Sequence, residues 1–255
     1  MKLRFLFIMV LMLSFLQVVA QESLVFEQAN STYNEGRYEE AIQLYESILD
    51  EKLHSSDLYF NLANAYYKSN QVAPSIYYYE RALQLNPDDV DIQNNLSFAK
   101  NMTVDAIEPL PQVGLKRVVK NMIQIYDFEV WAILSIAMMV LFVLFFLMYY
   151  FSISTARKRV LFLGSFSCLA LALISLSFAF QNYQYEKQDN PAIVFAQETQ
   201  VHTDPNLRSE TVFNLHEGTK VQVLEDYDEN WSKIKLDDGK TGWIASEDIK
   251  LLKVF

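Results

Sequence analysis

The spacing of apolar positions changes character along this chain, and each change marks a different kind of element. Between residues 22 and 102 apolar side chains recur at three- and four-residue intervals, the period of helices buried on one face. Tyr59, Leu62, Ala63 and Tyr66 form one such face, and Ser75, Tyr79 and Ala82 form another. Pro74 fits a first helical turn, where a missing N–H costs nothing, and Asn86-Pro87-Asp88-Asp89 ends one helix and caps the next. That next helix runs over 90–101, with Ile92, Leu96 and Ala99 on one side. Pro109 and Pro111 then break the pattern. Val130–Phe151 and Val160–Phe180 are uncharged throughout, and each is long enough to cross a bilayer. The short loop between them permits only an antiparallel hairpin. After Asn190-Pro191 the period falls to two, in short runs at 194–195, 199–202, 211–215, 220–224, 231–236 and 242–245. Turn signals at Asp204-Pro205-Asn206, Glu217-Gly218, Asp228-Glu229-Asn230 and Asp237-Asp238-Gly239 separate them. Strands this short predict a small, strongly bent β-barrel.

The helical part repeats itself. Residues 22–55 and 56–89 superimpose without a gap, bringing Ala29 onto Ala63, Ala41 onto Ser75, Ile42 onto Ile76, Tyr45 onto Tyr79 and Leu49 onto Leu83. A 34-residue period with small side chains at repeat positions 8 and 20 and an aromatic at 24 resembles the tetratricopeptide repeat. Such hairpins stack into curved surfaces that bind other proteins. The first repeat is the weaker one, because Gln28 and Thr32 stand at core positions. The helix at 90–101 reads as the cap of the stack.

The first twenty residues suit a secretory leader, with Lys2 and Arg4 ahead of an apolar stretch and Val18-Val19-Ala20 before a cut at Gln21. An uncleaved anchor is the alternative. Between a linker at 103–112 and the first span, Lys116, Arg117 and Lys120 interrupt apolar positions from Val113 to Tyr126. This segment reads either as an amphipathic helix on anionic headgroups or as an extension of the first span. Arg157-Lys158-Arg159 favour a cytoplasmic place for the 152–159 loop. A leader followed by two spans then leaves both soluble parts, 22–102 and 192–255, on the periplasmic side of an inner membrane. The stretch at 181–191 reads as a second linker. The predicted fold class is thus a multidomain membrane protein with all-α tetratricopeptide hairpins, a two-helix transmembrane hairpin and a small all-β barrel.

Charge follows the same partition. Residues 21–110 carry fifteen acids and five bases, a net charge of −10, and residues 181–255 carry fourteen acids and eight bases, a net charge of −6. Such acidity argues against nucleic-acid partners, which need clustered cations. The single cysteine, Cys168, lies in an apolar run, and His54, His202 and His216 are too scattered for a metal site. No phosphate-binding glycine loop and no nucleophile–base set is present, so neither catalysis nor a cofactor is expected.

The candidate sites are therefore binding surfaces. Phe26, Asn30, Tyr33, Phe60, Asn64 and Tyr67, with Asn61 beside them, share the helix faces expected to line a concave groove. Asparagine amides suit a peptide backbone of any sequence. A solvated or self-packed face is the competing reading. Asn30 and Asn61 stand where carboxylate-clamp members of the tetratricopeptide family place asparagine. The cations of that clamp are missing, since Phe26, Asp91 and Asn95 occupy the relevant places. In the β part, Tyr227, Trp231 and Trp243 form either an exposed aromatic patch or part of the core.

Gly218-Thr219, Val221, Val223, Trp231, Ile234, Leu236, Gly239 and the closing Gly242-Trp243-Ile244 resemble bacterial SH3-like domains. The order of leader, repeat pair, two spans and SH3-like tail, with Ile107-Glu108-Pro109-Leu110-Pro111 before the membrane, resembles the BatE type of the Bat (Bacteroides aerotolerance) family. That resemblance implies an inner-membrane protein of a Gram-negative bacterium. It also implies partners that include membrane proteins with von Willebrand factor A domains and a MoxR-type AAA+ ATPase. Other bacterial SH3-like domains bind cell-wall peptide, so peptidoglycan is the alternative ligand.

Overall fold

The computed structural model describes residues 24–111 and 114–252, which form two compact units. The leader read at 1–20 lies outside the described residues. One unit combines residues 24–109 with residues 190–252; the other lies within Leu110–Asp189.

The first unit opens with helical hairpins: α1 (24–34) with α2 (Tyr38–Asp50), and α3 (Ser56–Lys68) with α4 (Val72–Leu85). A last helix, α5 (Val90–Lys100), packs against α4. Ser55 caps α3 by accepting from the Leu58 N–H, and Asp89 caps α5 by accepting from Asp91 and Ile92. Small residues let the helices approach closely: Ala29, Ala41, Ala63, Ser75 and Ala82 are sealed, and Tyr45 and Tyr79 fill the space between them. Thr32 is buried too, and its hydroxyl donates to the Gln28 carbonyl at 2.8 Å, which satisfies a polar group in the weaker repeat.

The β part is an antiparallel sheet of seven strands: β1 (Pro191–Val194), β2 (Glu198–His202), β3 (Thr211–His216), β4 (Lys220–Asp226), β5 (Trp231–Lys235), β6 (Thr241–Ala245) and β7 (Ile249–Leu251). Their order is β3-β2-β6-β5-β4-β1-β7. Its inner face encloses Val194, Val201, Leu215, Val221, Val223, Ile234 and Ile244, an arrangement consistent with an SH3-like domain. Strand β7 is not foreseen from the alternation, because three residues are too few to show a period.

The second unit holds α6 (Leu115–Ile123), α7 (Phe128–Phe151) and α8 (Thr155–Gln188). By length and composition α7 and α8 can cross a membrane. They pack along a seam of small residues on α8, where Ser165, Cys168, Ala172, Ser175 and Ala179 recur at three and four. Within it the Ser135 hydroxyl donates to the Ala172 carbonyl at 3.0 Å. Two expected loops turn out to be helical. Arg157-Lys158-Arg159 lie within the first five residues of α8, leaving only 152–154 as the connection. The linker read at 181–191 is helical to Gln188, since no glycine or proline intervenes before Pro191. At 1.5 Å per residue α8 is about 50 Å long, well beyond a hydrocarbon core of about 30 Å.

Candidate functional site

The seven residues expected to line the helical groove share one face, and all are half-buried. Their hydrogen bonds repeat with the sequence. The Asn30 Oδ1 accepts from the Tyr45 hydroxyl at 2.7 Å and from the Asn61 amide at 3.0 Å. Thirty-four residues on, the Asn64 Oδ1 accepts from the Tyr79 hydroxyl at 2.5 Å and from the Asn95 amide at 2.9 Å. Each rung thus fixes how its amides point. The oxygens of Asn30 and Asn64 are used internally, which leaves their NH2 groups, and the oxygens of Asn61 and Asn95, without protein partners among the described residues. Each rung thus keeps an amide NH2 group and an amide oxygen with unused hydrogen-bonding capacity. Phe26 and Phe60 flank the rungs, with ring centroids 6.0 Å from Tyr45 and Tyr79 respectively, while Tyr33 packs on Tyr38 at 5.3 Å. Tyr67 borders the core of the second hairpin. Burial pushes the phenols of Tyr45 and Tyr79 up, so both remain donors to the asparagines.

Asn95, one of the positions where a clamp cation is missing, completes the second rung. The 34-residue shift that carries Asn61 onto Asn95 and Tyr45 onto Tyr79 was the signal for it.

On the sheet Trp231 and Trp243 are half-buried and lie outside the apolar core. Ser232 and Ile234 face inward on β5, which turns Trp231 and Lys233 outward; Gly242 and Ile244 do the same for Trp243 on β6. Lys233 pairs with Trp243 across the strands and lies 5.4 Å from the centre of its ring. Tyr227, 66% exposed, meets Trp243 edge-on at 6.0 Å, and His202 meets Trp231 at 5.6 Å. Gly242 permits the close approach of β2 and β6, since a Cβ there would stand 2.5 Å from Val201.

The helical and β parts, expected as separate domains, belong to one body. Ile193 and Leu252 of the β part are buried in the same apolar cluster as Val72, Ile76, Tyr77 and Ala99. Gly218, at φ 85°, lets the β3–β4 turn approach α4, because a Cβ would meet Thr103 at 2.8 Å and Ile76 at 2.9 Å. Polar groups reinforce the contact. Glu80 accepts from Lys100 at 2.8 Å and from Lys220 at 2.7 Å. Burial opposes its ionisation, but the two ammonium groups outweigh burial and hold the carboxyl below its ordinary range. Asp105 accepts from the backbone N–H of His216, from its Nδ1 at 2.8 Å and from the Thr219 hydroxyl at 2.6 Å. The Asp105 hydrogen bond raises the His216 pKa, while at Asp105 burial is overcome by the Thr219 and His216 hydrogen bonds and the pKa falls. Lys250 lies 4.6 Å from the centre of the Tyr77 ring and 5.5 Å from that of Phe195. The segment after α5, read as a linker, is thus part of the docking surface, and Ile107 packs on the sheet core. Among the described residues no His, Cys, Asp or Glu cluster suits a metal ion.

Comparison with known families agrees with both halves of this body. Residues 56–89 match the tetratricopeptide repeat family, and residues 198–250 match the bacterial SH3 domain family. A search of curated proteins returned no significant match. The chain carries a tetratricopeptide repeat and a bacterial SH3 domain, beside two helices apolar enough to cross a membrane.

Proposed function

We propose that this protein is a membrane-anchored, non-enzymatic adaptor that holds extended segments of partner proteins in its helical groove. The observation that carries this reading is the repeated rung Asn–Tyr–Asn. Its internal bonds leave an amide NH2 and an amide oxygen on each rung, the two rungs 34 residues apart in sequence, beside half-exposed aromatic rings. Backbone recognition of this kind needs no free carboxylate, which fits the missing clamp cations. The hairpin α7–α8 anchors the adaptor in the inner membrane of a Gram-negative bacterium, with the helical and SH3-like parts in the periplasm and the α7–α8 connection in the cytoplasm. Resemblance to the Bat family supports a membrane complex with von Willebrand factor A domain proteins as the setting.

A second reading rests on the outward face of β5 and β6. Tyr227, Trp231 and Trp243 offer an aromatic platform, and its ligand would be the peptide of peptidoglycan, making the protein an envelope-anchoring element. One experiment separates the two. Full-length Phe60→Ala and Tyr67→Ala proteins are compared with Trp243→Ala in partner co-purification and in sedimentation with purified peptidoglycan. Losing a buried aromatic contact typically costs about 1–3 kcal/mol of binding. The adaptor reading expects the groove substitutions to abolish co-purification; it fails if they change nothing while Trp243→Ala abolishes sedimentation.

A further inference from the structure

Between residues 111 and 180 the chain has six basic side chains, and they occur in only two places: Lys116, Arg117 and Lys120 before α7, and Arg157, Lys158 and Arg159 at the start of α8. The structure argues against one of the two readings of the first cluster. Helix α6 is not an extension of α7; it ends at Ile123, and the chain turns at 124–127 before α7 begins.

Helix α6 is fixed at one level of the hairpin. The Trp131 indole N–H donates to the Ile123 carbonyl at 2.8 Å, and the Asn182 amide donates to the Tyr126 carbonyl at 2.7 Å, tying both ends of the turn to α7 and α8. Ile123 is fully buried there. Around these ties lies a ring of aromatic contacts, Tyr126–Trp131 at 5.5 Å, Trp131–Phe178 at 5.1 Å and Phe128–Tyr183 at 5.5 Å. Tyrosine and tryptophan collect where hydrocarbon meets headgroups, so this ring marks an interface plane. Tyr149 and Phe162 make the corresponding contact at the other end of the hairpin.

The faces of α6 suit that plane. Val118, Val119 and Met122 point outward and are exposed, although they lie beside a buried residue on a helix of only nine residues. Positions Arg117, Lys120 and Asn121 fall on the opposite side of the helical wheel. We propose that α6 lies in the bilayer surface, with Val118, Val119 and Met122 among the upper acyl chains and its cations bound to anionic phospholipid headgroups. The shared plane of the aromatic ring names the occupant, since the bilayer spanned by α7 and α8 continues directly under the apolar face of α6. The acidic remainder of the chain gives the cations a purpose as well: with net charges of −10 and −6 in its flanking parts, the protein would otherwise be repelled by an anionic leaflet.

The inference rests on the membrane reading, and the test keeps the two apart. Full-length Cys168→Ser protein is reconstituted into vesicles of phosphatidylcholine alone or mixed with phosphatidylglycerol. Single nitroxide labels are placed at Val118→Cys, Met122→Cys, Asn121→Cys and, in the middle of α7, Val140→Cys. Labels at 118 and 122 should be accessible to oxygen and shielded from a water-soluble nickel complex, and the label at 121 should show the reverse. In the same chain Arg117→Gln and Lys120→Gln should each weaken the preference for spin-labelled phosphatidylglycerol about fivefold, as should high salt in graded fashion. Nickel access at 118 and 122 equal to that at 121, with 140 shielded, would overturn the surface placement while leaving the spans intact. A preference unchanged by both substitutions would overturn the headgroup assignment. Nickel access at 140 would instead overturn the membrane reading itself.

Discussion

Replacing Glu80 by glutamine tests whether the helical and β parts form one body through the contacts described above. Glu80 is 9% exposed and bonded to two lysines, one from each part. Breaking a fully buried ion pair costs about 3–5 kcal/mol. Lys100 and Lys220 are 46% and 39% exposed, so water can rehydrate them once the carboxylate is gone, and glutamine relieves the burial of a charge. A loss of about 1–2 kcal/mol at neutral pH is the expected result. Glu80→Gln, Lys220→Met and the double variant form a cycle whose coupling should be about 1 kcal/mol. The assay is denaturant unfolding, in detergent, of full-length protein carrying Trp131→Phe throughout, so that tryptophan fluorescence reports the sheet while far-ultraviolet circular dichroism follows the helices. Because the folded-state pKa of Glu80 is depressed, its contribution is present above its ordinary pKa and is lost as pH falls through the lower folded value. The gap between wild type and Glu80→Gln should therefore close in strong acid. Equal stability at pH 7, zero coupling, or a gap that persists unchanged at low pH would refute the reasoning.

Two further outcomes follow from the same surfaces. Gly218→Ala places a Cβ against Thr103 and Ile76 at a positive φ and should destabilise the body by about 1–3 kcal/mol, with hydrogen exchange rising in both α4 and β4, whereas the exposed Tyr227→Ala should leave exchange there unchanged. The His216 pKa is raised in the folded state, so the His216–Asp105 contribution is present below the ordinary histidine pKa and fades as pH rises through the folded value; exchange at the β3–β4 turn should increase across that window in wild type and lose this pH dependence in His216→Gln.

Much of the fold could be read from the chain because its periods are clean. The 34-residue repeat located the helices, and alternation located most strands. The same alternation already implied outward tryptophans: with Ile234 and Ile244 inward, Trp231 and Trp243 must face out, yet the small size of the domain kept a core role open. The docking surface was illegible for a different reason. Glu80 and Lys220, or Asp105 and His216, are more than a hundred residues apart with the hairpin between them, and each alone looks like an ordinary solvated charge. Asn95 does not stand out in the sequence because it occupies a position where a clamp cation is missing; only the 34-residue offset from Asn61 marks it.

Whether the groove holds a polypeptide of another protein can be read out by site-specific photo-cross-linking in intact cells. A photoreactive phenylalanine analogue is placed in the full-length chain at Tyr67 in the groove, and at Tyr227 on the sheet. The account predicts a discrete protein adduct from position 67 that disappears when Asn64→Ala and Asn95→Ala remove the second rung, while the protein remains folded in the membrane. An adduct at 67 that is indifferent to those substitutions, or no protein adduct from 67 beside a strong one to cell-wall material from 227, would contradict it.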